Sequence, residues 1–246
     1  MKSKIDLNCD LGEGEPIART RALMRWITSA NVACGGHAGT VESMRRCVRL
    51  AKQFRVRLGA HPGPWSRSDF GRSAVQLASD ELELLLLQQV GALERIAKGA
   101  GVRLHHIKLH GALYHASEGD KELGERFVKC VAQWWPDAII YARASGDVAR
   151  LAKKNGVNVW EEGFADRGYE GDGKLVPRGK PSALLMGLRQ VEQQVHLILA
   201  YRQVETLAGG RLPLHPQTLC VHSDTPGSAL MARVVRRMLE MTPRRY

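Results

Sequence analysis

Several short apolar runs in this chain are followed at once by an acid, an imidazole or a cation. Asp10 ends the first run, and His37 follows the second by a few residues. His61 ends the third, and Lys108 and His110 end the fourth. Glu162, Asp166 and Arg167 follow the sixth, and His222 and Asp224 end the last. A lone histidine at such a point is more often structural than catalytic. It is the recurrence that points to an active site. Imidazole titrates near neutrality, so these groups suit acid–base chemistry without a metal. Carboxylate and imidazole together also suit zinc or manganese, which makes Asp10, His37, His61 and His110 the metal-ligand candidates. Their spacing matches no local metal motif, so they would meet only through the fold.

The elements that must bring them together alternate short apolar runs with longer amphipathic ones. Strands are expected at 4–9, 29–33, 57–60, 105–109, 138–142, 158–160 and 218–221. Val41, Met44, Val48, Ala51 and Phe54 fall on one helical face. Ser79 reads as an N-cap, with Asp80 and Glu81 in the first turn of a Leu-rich helix. Further helices are expected over 121–134, 147–154, 182–208 and 228–241. Repeated strand-then-helix units predict an α/β fold with a parallel sheet. About seven strands in 246 residues fit a closed or nearly closed β/α barrel better than a small open sheet. In such folds the C-terminal strand ends form one rim, where catalytic groups gather. No repeat or Pro/Ser linker breaks the chain, so one domain over 1–246 is expected. The segment 163–181 (GFADRGYEGDGKLVPRGKP) fits no element and reads as a lid or binding loop.

Composition removes several classes. Hydrophobic residues make up 44% and charged residues 25% of the chain, ordinary values for a globular protein. No stretch approaches the length of a membrane helix, and the N-terminal MKSKIDLNCDLGEGE is unlike a signal peptide, so the cytoplasm is expected. The net charge of +11 comes from scattered arginines and a tail at Arg233, Arg236, Arg237, Arg244 and Arg245. With no nucleic-acid signature alongside, it reads as a solvated surface. Five cysteines (Cys9, Cys34, Cys47, Cys130, Cys220) without C-x-x-C give no disulfide framework. The stretch GYEGDGKL (168–175) matches a P-loop only by chance, since Leu175 replaces the Ser or Thr that would bind magnesium. Serine-hydrolase, zincin and dinucleotide motifs are absent.

Eight motifs then occur in order: DLNCDLGE (6–13), NVACGGHAG (31–39), GAHP (59–62), DFGR (69–72), KLHGALY (108–114), EGFADRGY (162–169), DGKLVPR (172–178) and CVHSD (220–224). Together they resemble the LamB/YcsF family over nearly the whole chain. The resemblance implies a distorted (β/α) barrel of the glycoside hydrolase/deacetylase kind. It also implies the A component of a 5-oxoprolinase, which hydrolyses the 5-oxo-L-proline lactam to L-glutamate with ATP as co-substrate and needs partner subunits B and C. On that basis Asp10 with His61 or His110 is expected to activate water. Lys108 and Arg167 would stabilise developing charge or hold a phosphate or carboxylate, oriented by Glu162 and Asp166. His222 with Asp224 would form a second acid–base pair that protonates the leaving nitrogen. Asn8, Glu13, Asn31, His37, Arg72 and Tyr114, in the same motifs, are expected to hold the substrate. Six positions depart from the family's usual pattern: Gly36, Thr40, Ser73, Leu109, His115 and Ser223. They point to altered pocket walls rather than altered chemistry. Two other readings are a metal-dependent deacetylase or carbohydrate-active hydrolase, and a non-catalytic protein that binds the lactam for its partners.

Overall fold

The computed structural model describes residues 5–74, 77 and 79–241. Seven strands, β1 (Asp6–Leu11), β2 (Ser29–Ala33), β3 (Arg57–His61), β4 (Leu104–Ile107), β5 (Ile139–Arg143), β6 (Val159–Phe164) and β9 (Thr218–His222), form a closed parallel barrel in that order. All seven expected strands are found. The first begins at Asp6, and Lys4, where it was expected to start, lies outside the described residues, as do Arg244 and Arg245.

The first strand shows how the barrel is filled. In DLNCDL a two-residue period sends Leu7, Cys9 and Leu11 outward into the apolar core beneath the helices. Asp6, Asn8 and Asp10 point into the lumen. There Asn8 donates to Glu162 across the barrel at 2.9 Å, and Asp6 accepts from Tyr141 and Thr218. His106 bonds Asn31 at 2.7 Å and stacks on Tyr141. Gly59 makes room for that ring, since a Cβ there would lie 2.0 Å from His106 Nε2. The lumen is thus a polar network whose members satisfy one another, as burial demands.

Among the helices, α2 (Val41–Phe54) begins with a reciprocal cap between Thr40 and Ser43 and buries Met44, Cys47, Val48, Leu50 and Ala51. Val41, placed on the buried face from sequence, is exposed. Helices α5 (Lys121–Trp134), α6 (Asp147–Lys154) and α8 (Ser228–Met241) have the expected bounds. Two short helices, α1 (Ile17–Met24) and α4 (Gly111–Gly119), were not expected, because neither carries a strong apolar stripe. Helix α3 (Ser79–Gly99) starts at Ser79, whose side chain lies outside the described residues.

The expected helix over 182–208 is instead α7 (Leu188–Tyr201) followed by a hairpin of β7 (Gln203–Glu205) and β8 (Arg211–Pro213). The backbone is left-handed at Ser182 (φ 60) and at Arg202 (φ 57), which bars helix at both ends. Gly163 and Phe164 belong to β6, so the long loop starts only after them. All five cysteines are free and buried. Among the described residues no helix is long and apolar enough to cross a membrane.

Candidate active site

The register of β1 sets the site. Asp10 lies opposite Asn31 on β2 and His222 on β9. Asp10, His61, Lys108, His110 and His222 line one cavity of about 240 Å³ at the C-terminal rim. Burial alone would raise the Asp10 carboxyl. The facing charges of His61 and Lys108 outweigh burial and hold it well below the usual carboxylate range.

Lys108 Nζ is 3.1 Å from Asp10 Oδ1, 2.9 Å from Glu162 Oε1 and 3.2 Å from Cys220 Sγ. Burial opposes its charge, but the facing acids, Asp10 first, keep its pKa well above the ordinary value. Glu162 sits inside β6 rather than after it, and also accepts from Tyr114 Oη at 3.0 Å. One Glu162 oxygen thus meets Lys108 and the other Tyr114. Tyr114 contributes through Glu162, its hydroxyl already engaged.

His222 is held differently from the expectation. Its Nδ1 lies 2.9 Å from Asp166 Oδ1, while Asp166 Oδ2 accepts from the His222 amide at 2.9 Å and Thr225 Oγ1 at 3.1 Å. A carboxylate only accepts, so His222 Nδ1 carries the proton and Nε2 faces the cavity, 3.9 Å from Asp10 Oδ2. Burial would raise Asp166, but the charge and bonds of His222 pull it below the usual range. Asp166 therefore orients His222 and not Arg167. Asp224 is not the partner of His222 at all. It lies past the end of β9, 38% exposed, and accepts from Arg72 and Arg178 at 2.9 Å each. Arg167 also departs from its expected role. It lines the cavity, but its guanidinium donates to the Ala183 and Val176 carbonyls and pins the long loop.

On the far side of His61 and His110 lies a second group of donors. Glu13, His37, His61 and His110 bring one ligand atom each within 4.8 Å of the others. Asp10 falls outside this set, although its Oδ2 lies 3.5 Å from His61 Nε2, nearer than the 3.9 Å to His222 Nε2. Gly12, with φ 77, turns the chain after β1 and carries Glu13 over to the histidines. The four-donor set is thus Glu13 with three histidines, not the Asp10-containing set read from sequence. Asn8 and Asn31 lie below, in the lumen network. His37 and Glu13 face a neighbouring cavity.

A model of the LamB/YcsF family matches residues 5–245. The chain belongs to the LamB/YcsF family. It is 39% identical over 240 residues to the A component of 5-oxoprolinase from Pyrococcus abyssi, covering 96% of this chain and 94% of the relative. It is 38% identical over 238 residues to the protein of that name from Erwinia tasmaniensis, covering 97% and 96%. A solved structure of a lactam utilization protein from Thermus thermophilus superposes with a TM-score of 0.88 at 33% identity, covering 97% of this chain and 96% of that one.

Two cavity-lining residues in this LamB/YcsF chain were given no role from sequence. Arg178 sits in DGKLVPR and meets Arg72 on the Asp224 carboxylate, so the cavity mouth carries two guanidinium groups on one acid. His115 follows the family's A-L-Y. Burial, then the Arg167 charge, pushes it down to about 4, which keeps it neutral at pH 7.

Proposed function

We propose that this chain is the A component of an ATP-dependent 5-oxoprolinase, acting with subunits B and C in the cytoplasm to open 5-oxo-L-proline to L-glutamate while ATP becomes ADP and phosphate. The observation that carries the reading is the His222–Asp166 pair, whose free nitrogen opens onto a small rim cavity in a chain so similar to proteins of that name. Those relatives are named as one component of several, which supports an assembly with other chains.

A five-membered lactam resists hydrolysis because nitrogen donates into its carbonyl. Transfer of the ATP γ-phosphoryl group to the lactam oxygen releases ADP and leaves a protonated C=N imidate whose ring carbon is strongly electrophilic. His222 Nε2 then takes a proton from water as the water oxygen bonds to the ring carbon. It returns the proton to the ring nitrogen as the C–N bond breaks, and the remaining hydroxyl proton passes to the freed amine as the carbonyl forms. This leaves an acyl phosphate, which a second water converts to glutamate and phosphate. Asp166 fixes the His222 tautomer and balances the imidazolium. Lys108 supplies fixed positive charge beside the cavity, and Arg72 and Arg178 suit the substrate carboxylate or its phosphoryl group.

The test is glutamate release from 5-oxo-L-proline and ATP by matched B and C subunits, with and without this chain. Release only in the full mixture is expected. No release in a mixture that a relative of this chain can complete would overturn the reading.

A further inference from the structure

The positive charge, scattered along the sequence, is gathered by the fold. Helix α8 packs on α1, and α1 on α2, so the three form one arc of the outer wall. Helix α1 and its C-cap carry Arg19, Arg21 and Arg25 and no acid. Helix α2 and its C-cap carry Arg45, Arg46, Arg49, Lys52 and Arg55 against Glu42 alone. Helix α8 carries Arg233, Arg236 and Arg237 against Glu240 alone. The arc thus holds nine of the chain's eleven excess positive charges. On α3, by contrast, Asp80, Glu81, Glu83 and Glu94 outnumber Arg95 and Lys98. Glu42 answers Arg46 and Arg49, and Glu240 answers Arg236. Among the described residues, Arg19, Arg21, Arg25, Arg45, Arg233 and Arg237 are exposed and make no ion pair. Like charges so concentrated repel one another, and a counter-charge from outside would relieve them.

The same arc exposes apolar side chains. Ile17, Val41 and Leu230 are 44%, 52% and 40% exposed, and each lies in the first turn of its helix. In a parallel barrel those first turns sit at the C-terminal rim, on the active-site side. Ile17 and Arg46 line the second cavity, which His37 and Glu13 also face.

We infer that the rim end of the α8–α1–α2 arc is the docking surface for a protein partner with an acidic, partly apolar face. Ten of the arc's eleven cations are arginine. Interfaces between proteins are enriched in arginine and depleted in lysine, and the planar guanidinium fits carboxylates in pairs. The arc has no exposed aromatic side chain on which nucleic-acid bases would stack. A second copy of this chain would bring the same positive charge and be repelled. That the partner is one of the subunits B and C rests on the function proposed above.

The test mixes matched B and C subunits with wild-type chain or with Arg19→Glu/Arg45→Glu, its fold checked by circular dichroism. Analytical ultracentrifugation follows association, and glutamate release is read in the same samples. Lys129→Glu/Lys154→Glu makes the same change of charge on α5 and α6 and serves as control. Wild type and control should associate, and the arc variant should associate at least about tenfold more weakly. Wild-type association should also weaken between about 0.1 M and 1 M salt, where the screening length falls from about 10 Å to about 3 Å. Glutamate release by the arc variant should recover at higher subunit concentrations. Salt-sensitive association that only the arc variant loses, without glutamate release by wild type, would retain the docking surface and overturn the proposed function. No association by wild type, equal association by the arc variant, or equal weakening by the control would overturn the docking surface. Binding of a uridine oligonucleotide or phosphatidylserine vesicles that the arc variant loses, with subunit association intact, would overturn it in favour of a polyanion.

Discussion

His222 Nδ1 donates to Asp166 Oδ1 at 2.9 Å, and the same carboxylate accepts the His222 backbone amide. One acid thus fixes both the ring and the strand end that carries it. That double hold leaves Nε2 with a set direction and a lone pair toward the cavity, as proton transfer requires.

Lys108 bridges two buried carboxylates, so removing it leaves both uncompensated. Lys108→Met should cost about 3–5 kcal/mol of stability, the usual penalty for breaking a buried pair. Urea unfolding would measure it. Adding Glu162→Gln should recover part of the loss, because one of the stranded charges is then gone. A single variant as stable as wild type would mean that water reaches Asp10 and Glu162.

Gly59 and His106 share one space in the lumen. Gly59→Ala should destabilise by about 1–3 kcal/mol or more through overpacking, with loss of the His106–Asn31 bond. In a His106→Ala background the same change should cost much less, since the clashing ring is absent. A double-mutant cycle with no coupling would contradict the packing described.

These two clusters show what a sequence conveys. The barrel and its rim were legible because apolar runs recur and chemistry follows each. The polar lumen was less so. His106 and Asp6 satisfy the period-2 pattern of strands filled with polar side chains, whereas a search for apolar runs passes over them. Partnerships were the least visible. Asp224 is two residues from His222, yet it turns outward to Arg72 and Arg178. The true partner, Asp166, is 56 positions away. Glu13 joined the histidines only because Gly12 reverses the chain with φ 77.

Acid should weaken the fold through His105. Burial, then the Arg57 charge, lowers its pKa to about 4 in the folded chain, against about 6.5 unfolded. Below pH 6.5 the unfolded chain takes up a proton that the folded chain refuses. The stability held above that pH is therefore lost as pH falls toward 4. Melting temperature across this window should fall less steeply in His105→Gln than in wild type. Parallel curves would show that His105 is freely protonated in the fold.

The Asp224 pairs are half exposed, so Asp224→Asn should change unfolding stability by no more than about 1 kcal/mol. Its effect should appear in the apparent KM for 5-oxoproline, because Arg72 and Arg178 are then released at the mouth. An unchanged KM would place the substrate elsewhere.

The most direct test compares glutamate release by the complex assembled with wild type, Asp166→Asn and Asp224→Asn. Asp166→Asn should lower kcat on the order of 10²–10⁴-fold, the range of a lost acid–base group, in a chain that still folds and assembles. Asp224→Asn should retain most of kcat. The reverse ranking, or near-wild-type turnover by Asp166→Asn, would contradict the assignment of His222 and Asp166 to the chemistry.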